Sequence, residues 1–236
     1  MQVTGSSHLT MIDNKDRISS QVGLSGYSFK VLADGSERSY GWMNAERIFS
    51  TPELQKRYEE VEISVSTPKC ALVPEQFHSP ENAREMLAEV AAIGEEDVVD
   101  FIPVPKFAAV LLYSISVGGT LSRVITETVL RTDGTKSRPL PELYYILDHL
   151  SDIKDYNKIL ASYVDDYLYI AIAQGKSLLL CNSFHATDFT TAEYFIFLTM
   201  KKLQLNTEMS SIYFRTPLTE DQELSLYRYF RSVEHI

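Results

Sequence analysis

Cysteine is nearly missing from this chain: its 236 residues include two, Cys70 and Cys181. Each sits in an apolar run far from the other, which argues against a disulfide framework or a thiolate metal site and for thiols packed as small hydrophobes. Basic clusters are missing too. The 22 Lys and Arg against 32 Asp and Glu leave a formal charge of −10, and the densest basic point, Lys201-Lys202, reads as the solvated end of a helix. Such a chain repels a phosphate backbone unless a basic stripe is set aside for it, so no nucleic-acid partner is expected. No apolar run is long. "FAAVLLYSISV" (107–117) falls well short of the roughly 20 residues that cross a bilayer, so no membrane span is expected. The opening "MQVTGSSHLTMIDNKD" lacks the basic-then-apolar order of a secretory signal. The expectation is a soluble protein of the cytoplasm.

Catalytic signatures are equally scarce. "DGTKS" (133–137) resembles the end of a P-loop, but Thr135 separates Gly134 from Lys136 and the upstream glycine is missing. "GLSG" (23–26) lacks the spacing of a nucleophile elbow. His8, His78, His149, His185 and His235 show no helical pairing of metal ligands. Asp148-His149 points its members in different directions on a helix and reads as surface. "VGGTLSR" (117–123) puts a glycine pair at a helix start, a weak anion signal that more simply punctuates a strand-to-helix turn.

What is present is a repeat. "YSFKVLADG" (27–35) and "YLYIAIAQG" (167–175) share Tyr, Ala and Gly at the same spacing, and "FSTPEL" (49–54) falls on "FTTAEY" (189–194) at the same offset of 140. Ser50/Glu53 and Thr190/Glu193 have capping-box spacing. Ser79-Pro80-Glu81 and Thr219-Glu220-Asp221 read as a second pair of helix starts. "CALV" (70–73) aligns with "SSIY" (210–213) as the strand between the helices, and "RISSQV" (17–22) and "LASYV" (160–164) precede the hairpins. Each half therefore reads as three strands, helix, strand, helix. This predicts an α/β fold of two duplicated domains with mixed sheets and flanking helices, divided as 1–105 and 106–236. Alternation makes 27–34 a half-exposed strand, whereas 167–173 is apolar on both faces and should be covered on both. Pro103 and Pro105 suit a crossing between domains. "AAVLLYSI" (108–115) reads as a strand, "ELYYILDHLSDI" (142–153) as a helix, and Asn182-Ser183 as a turn closing the third strand of the second hairpin.

The duplicated unit resembles the actin-like ATPases, whose two ribonuclease-H-like domains close on a nucleotide. Through "ISSQVGLSGYSFKVL", "ALVPEQF" and "GKSLLLCNSFHATDFTTAEYFIFL" the chain resembles, more specifically, an uncharacterised domain-of-unknown-function family from Bacteroides-type bacteria with this fold. It is also similar to the cytoplasmic actin-like scaffolds of pilus and secretion machines. The resemblance implies two phosphate turns, each with an acid, a glycine and small hydroxyl residues. The first, "VGLSGYS", offers Gly23, Ser25 and Gly26 but no acid between Arg17 and Asp34. The second, "VDDYLY", offers Asp165 and Asp166 but no glycine. The Gly-Gly implied after "SIYF" is replaced by Arg215-Thr216-Pro217. These departures point to a non-catalytic scaffold that binds a protein partner or itself and needs no cofactor. ATP with Mg is kept for the alternative, a nucleotide-binding protein or slow ATPase. The two turns should face each other across the interdomain cleft, with Tyr167 filling it and its hydroxyl bonded to a neighbour.

Overall fold

The computed structural model describes residues 15–24, 26–115 and 119–236. The chain runs β1 (Arg17–Val22), β2 (Gly26–Ala33), β3 (Ser36–Asn44), two 3-10 turns (Ala45–Ser50 and Pro52–Gln55), β4 (Arg57–Tyr58) and β5 (Glu60–Val65). It continues through β6 (Cys70–Pro74), α1 (Ala83–Ala88), β7 (Asp100–Val104), β8 (Ala109–Tyr113), α2 (Gly119–Thr128), β9 (Leu130–Arg131) and β10 (Leu140–Pro141). The remainder is α3 (Glu142–Leu150), β11 (Asn157–Val164), β12 (Tyr167–Gln174), β13 (Ser177–His185), α4 (Phe189–Lys202), β14 (Ser211–Phe214), α5 (Glu220–Tyr227) and β15 (Ser232–His235).

Two five-stranded sheets share one plan, β3-β2-β1-β5-β10 and β13-β12-β11-β14-β15. In both, the first three strands are antiparallel and the last two are parallel additions. The duplication expected from the hairpins is therefore present as two related α/β domains. The repeat is not gap-free. Val22 pairs with Tyr27 across the first turn, whereas Val164 pairs with Tyr167 across the second, so the first turn is two residues longer. Asp165 and Asp166 make that tight second turn, with φ of 51° and 60°. A two-residue hairpin with positive φ at both positions matches strand twist, and aspartate tolerates that region better than most residues.

Several expected equivalences give way to others. The stretch 45–56 carries Pro52 and is too short for a counterpart of α4, so it makes two 3-10 turns instead. The side chain capping α4 is Asp188, which accepts from Thr191 N at 2.7 Å, two residues before the expected Thr190. Thr219 does form a capping box with Gln222. β6 does not extend the first sheet. Together with β8 and β7 it builds a third, antiparallel sheet, inserted between β5 and α2. The strand matching β14 is therefore β5, and the helix matching α5 is α2 rather than α1. Ile125 and Val129, on and just after α2, pack with Ile18, Phe29, Ile48 and Ile63 to cover the first sheet. The division expected at 105/106 falls between β7 and β8, which pair with each other. Pro103 lies within β7 rather than a linker, tolerated because β7 is an edge strand.

β8 is buried along its whole length because it is covered twice. Leu111 faces α3 and β12, while Val110 and Leu112 face Leu87 of α1. β12 is likewise sandwiched, Leu168, Ile170 and Ile172 packing under α4 and α5, with Tyr169, Ala171 and Ala173 under α3. β2 is more deeply buried than its alternation implied. Its polar Ser28 is 1% exposed and donates to Gln21, which in turn donates to Glu142 of α3 packed against that face. β13 runs on to His185, so Asn182-Ser183 is strand rather than turn, and Phe184 stacks on Phe195 at 4.7 Å.

Candidate interdomain site

The carboxyl ends of β1, β5, β11 and β14, the central strands of the two sheets, converge. In open α/β sheets this is where the strand order reverses and a crevice forms. The first turn places Leu24 N 2.7 Å from Asp165 Oδ2, and Ser66 Oγ, just past β5, donates to the same oxygen at 2.6 Å. The two turns thus face each other as expected, and they touch through Asp165. Tyr167 takes another place: its ring lies 6.3 Å from Tyr169 and 5.2 Å from His185, on its own sheet.

The glycines of the first turn have a local reason. A Cβ on Gly23 would stand 2.4 Å from Asp165 Oδ2 and 2.9 Å from the Trp42 ring. One on Gly26 would stand 2.1 Å from the Met43 carbonyl oxygen and 3.0 Å from Trp42 Nε1. Both positions are kept bare by the chain's own indole, backbone and carboxylate. Ser25 lies outside the described residues, as do His8 and, in the 117–123 motif, Val117 and Gly118. Arg123 of that motif is exposed on α2.

Behind the turns lies a buried polar network that composition did not suggest. Glu142, the first residue of α3, is 2% exposed. Its carboxylate accepts from Ser64 and Gln21 of the first sheet, the latter at 3.4 Å. From the second domain it accepts from Ser162 at 2.5 Å and from Arg215 Nε at 3.0 Å. Arg215 is 3% exposed, and its guanidinium lies 5.2 Å over the Tyr145 ring. It also donates to His149 Nδ1 at 2.9 Å, and His149 Nε2 stands 3.6 Å from Glu62. Burial would raise the Glu62 carboxyl, but the hydrogen bond to His149, the Arg215 charge and the Ser19 hydroxyl overcome it and hold the group at about 2. His149 therefore faces the interface, while Asp148 turns outward to Lys106 at 2.8 Å. A buried charge is tolerated only when paired and hydrogen-bonded, and this pair is both. Serines from both sheets fix one carboxylate, so the network sets how the domains meet.

A signal for this arrangement stands in the sequence. β5 is followed by Ser66-Thr67-Pro68 and β14 by Arg215-Thr216-Pro217, an X-Thr-Pro step at an offset of 149 that the hairpin alignment passes over. Thr67 Oγ1 bonds the Ser114 carbonyl oxygen at 2.7 Å, and Thr216 Oγ1 accepts from Tyr163 N at 2.9 Å.

In front of the network the cleft opens into a cavity of about 560 Å³, lined by Leu24, Trp42, Tyr163, Asp165, Asp166 and Pro217 among others. Among the described residues no group of three or more His, Cys, Asp or Glu is placed to hold a metal ion. No helix there is long and apolar enough to cross a membrane.

Residues 14–233 match the family described as protein of unknown function (DUF3822). The chain belongs to this family. No curated protein matches it in sequence. Among solved structures it is similar to a Bacteroides thetaiotaomicron protein with an actin-like ATPase fold and unknown function. The TM-score is 0.67 at 17% identity, over 96% of this chain and 94% of that one. It is also similar to a chain of the PilM-PilN type IV pilus biogenesis complex, with a TM-score of 0.51 at 12% identity, over 93% of this chain and 88% of that one. The fold is actin-like.

Proposed function

We propose that this chain is a non-catalytic actin-like interaction scaffold, acting in the cytoplasm on a protein partner or a second copy of itself, without ATP, magnesium or another cofactor. The observation that carries the reading is the use made of Asp165. Its carboxylate takes the Leu24 N–H and the Ser66 hydroxyl, donors that an anion in the cleft would need. A phosphate there would have to displace an internal acceptor and then sit beside two carboxylates in a partly desolvated place, where like charges repel most strongly. The acidic composition supports a protein over a nucleic-acid partner. The fold-level likeness to a member of a two-protein complex agrees with an assembly role by analogy. Two assays test this. A phosphate-release assay with Mg-ATP should read no turnover above the buffer blank, and cross-linked capture from native cells should return a stoichiometric protein or the chain itself. Turnover that Asp165→Ala abolishes would overturn the reading.

A further inference from the structure

We propose that the cavity in front of Asp165 and Asp166 is a receptor for an arginine side chain, flanked by apolar residues, on a segment of the protein partner. The inference rests on the scaffold reading and names the chemistry of its partner.

The walls decide the ligand class. Asp166 is exposed at the tip of the second turn, and its carboxylate takes no hydrogen bond or ion pair among the described residues. Asp165 lies beside it, and among the described residues no lysine or arginine lines the cavity. The flank is the start of α5, where Glu220 and Asp221 stand in the first turn next to the lining residues Thr219 and Gln222. This concave site is thus acidic on one side with no internal counter-ion, so a cation complements it and an anion does not. The lining next to Asp165 is apolar: one point, the Cβ position of Gly23, is 2.4 Å from Asp165 Oδ2 and 2.9 Å from the Trp42 ring. Leu24 is 59% exposed and Trp42 41% exposed, although both are large hydrophobic residues. The Trp42 ring lies against bare Gly23 and Gly26.

An indole beside carboxylates is a combination that recognises a cation on an apolar stem, through its ring quadrupole and through their charge. A guanidinium suits it better than an ammonium, because its plane stacks on the ring while its fork meets a carboxylate. A volume of about 560 Å³ lies in the range that holds a drug-sized ligand and is more than one side chain needs. The exposed Leu24 calls for an apolar neighbour on the ligand as well. Both features favour a peptide segment over a small free amine.

The chain supplies its own reporter, since Trp42 is its one tryptophan. The full chain is titrated with acetyl-LRLRL-amide, acetyl-LELEL-amide, agmatine and Mg-ATP while Trp42 emission is followed. The arginine peptide is expected to shift the emission saturably, more weakly as salt is raised. Asp166→Asn should weaken it by about two- to fivefold, the order expected for one ion-pair contact at an exposed site. Asparagine also tolerates the backbone φ of 60°, and an unchanged melting temperature of that variant shows that the fold is kept. No response to the arginine peptide, an equal response to the glutamate peptide, or indifference to Asp166→Asn overturns the proposal. Agmatine binding as tightly as the peptide overturns the partner-segment source and makes this a small-amine site. If the peptide fails while capture still returns a partner, the scaffold reading stands and this inference falls. Saturable Mg-ATP binding removes the scaffold reading itself.

Discussion

Replacing Glu142 with glutamine removes one charge and almost no volume from the centre of the domain interface. Arg215, 3% exposed, then keeps its charge with His149 and the Tyr145 ring as neighbours but without its carboxylate. Removing one member of a buried pair costs roughly 3–5 kcal/mol, because the other is left charged and desolvated. Ser64 and Ser162 meet different oxygens of Glu142. In the glutamine one hydroxyl can donate to the carbonyl while the other turns to accept from the amide NH2, which places the expected loss near the lower end, about 3 kcal/mol. Against a total stability of roughly 5–15 kcal/mol this is a large fraction. For a chain of this size it lowers the melting temperature by about 6–12 °C. Urea unfolding followed by circular dichroism measures it. The double variant Glu142→Gln/Arg215→Met should lose less than the sum of the two single variants, since the second change removes the stranded charge. A Glu142→Gln loss under about 0.5 kcal/mol, the size of an ordinary surface change, or strict additivity with Arg215→Met, would refute the claim that this pair holds the interface.

Gly23→Ala should destabilise by about 1–3 kcal/mol, as overpacking does, because its Cβ would meet Asp165 Oδ2 at 2.4 Å; a neutral result in thermal unfolding would show the turn to be slack. Glu62 is held at about 2, below its ordinary 4.5, so it binds a proton more readily unfolded than folded. Its contribution is then full above about pH 4.5 and fades as the pH falls toward 2. Glu62→Gln should flatten the acid limb of the stability profile, and an unchanged limb would contradict the His149 contact. Burial pushes the Cys181 thiol up to about 12 and raises Cys70 further, helped by the neighbouring Cys181. Both should react with Ellman's reagent far more slowly in the native chain than in urea, and equal rates would place them at the surface.

The hairpins were legible because their evidence is local. Alternation, Gly35 and Gly175 identify β2, β3, β12 and β13, and the shared strand plan follows. The covering helix of the first sheet was not legible, because α2 arrives only after the whole third sheet has intervened, and no offset search carries across such an insertion. Capping at Asp188 rather than Thr190 shows a nearer competitor winning over a motif of correct spacing. The site was half visible. Asp165 and Asp166 stood out as acids without a phosphate nest, and their placement opposite the first turn followed from the fold. The Glu142–Arg215 pair stood out in neither place, since Glu142 reads as an ordinary acid at a helix start and its partner lies 73 residues away. Arg215 registered only as a missing glycine. Trp42, on an exposed edge strand, carries no local signal of the cavity it lines.

The most direct test of the central claim, that Asp165 occupies the donors a nucleotide would need, is a thermal shift of the full chain with Mg-ATP at about a thousandfold excess over a micromolar dissociation constant. A cleft that binds nucleotide would gain about 4 kcal/mol, several degrees for a chain of this size. The account predicts no shift at millimolar Mg-ATP. A clear, saturable rise in melting temperature that Asp165→Ala abolishes would contradict it.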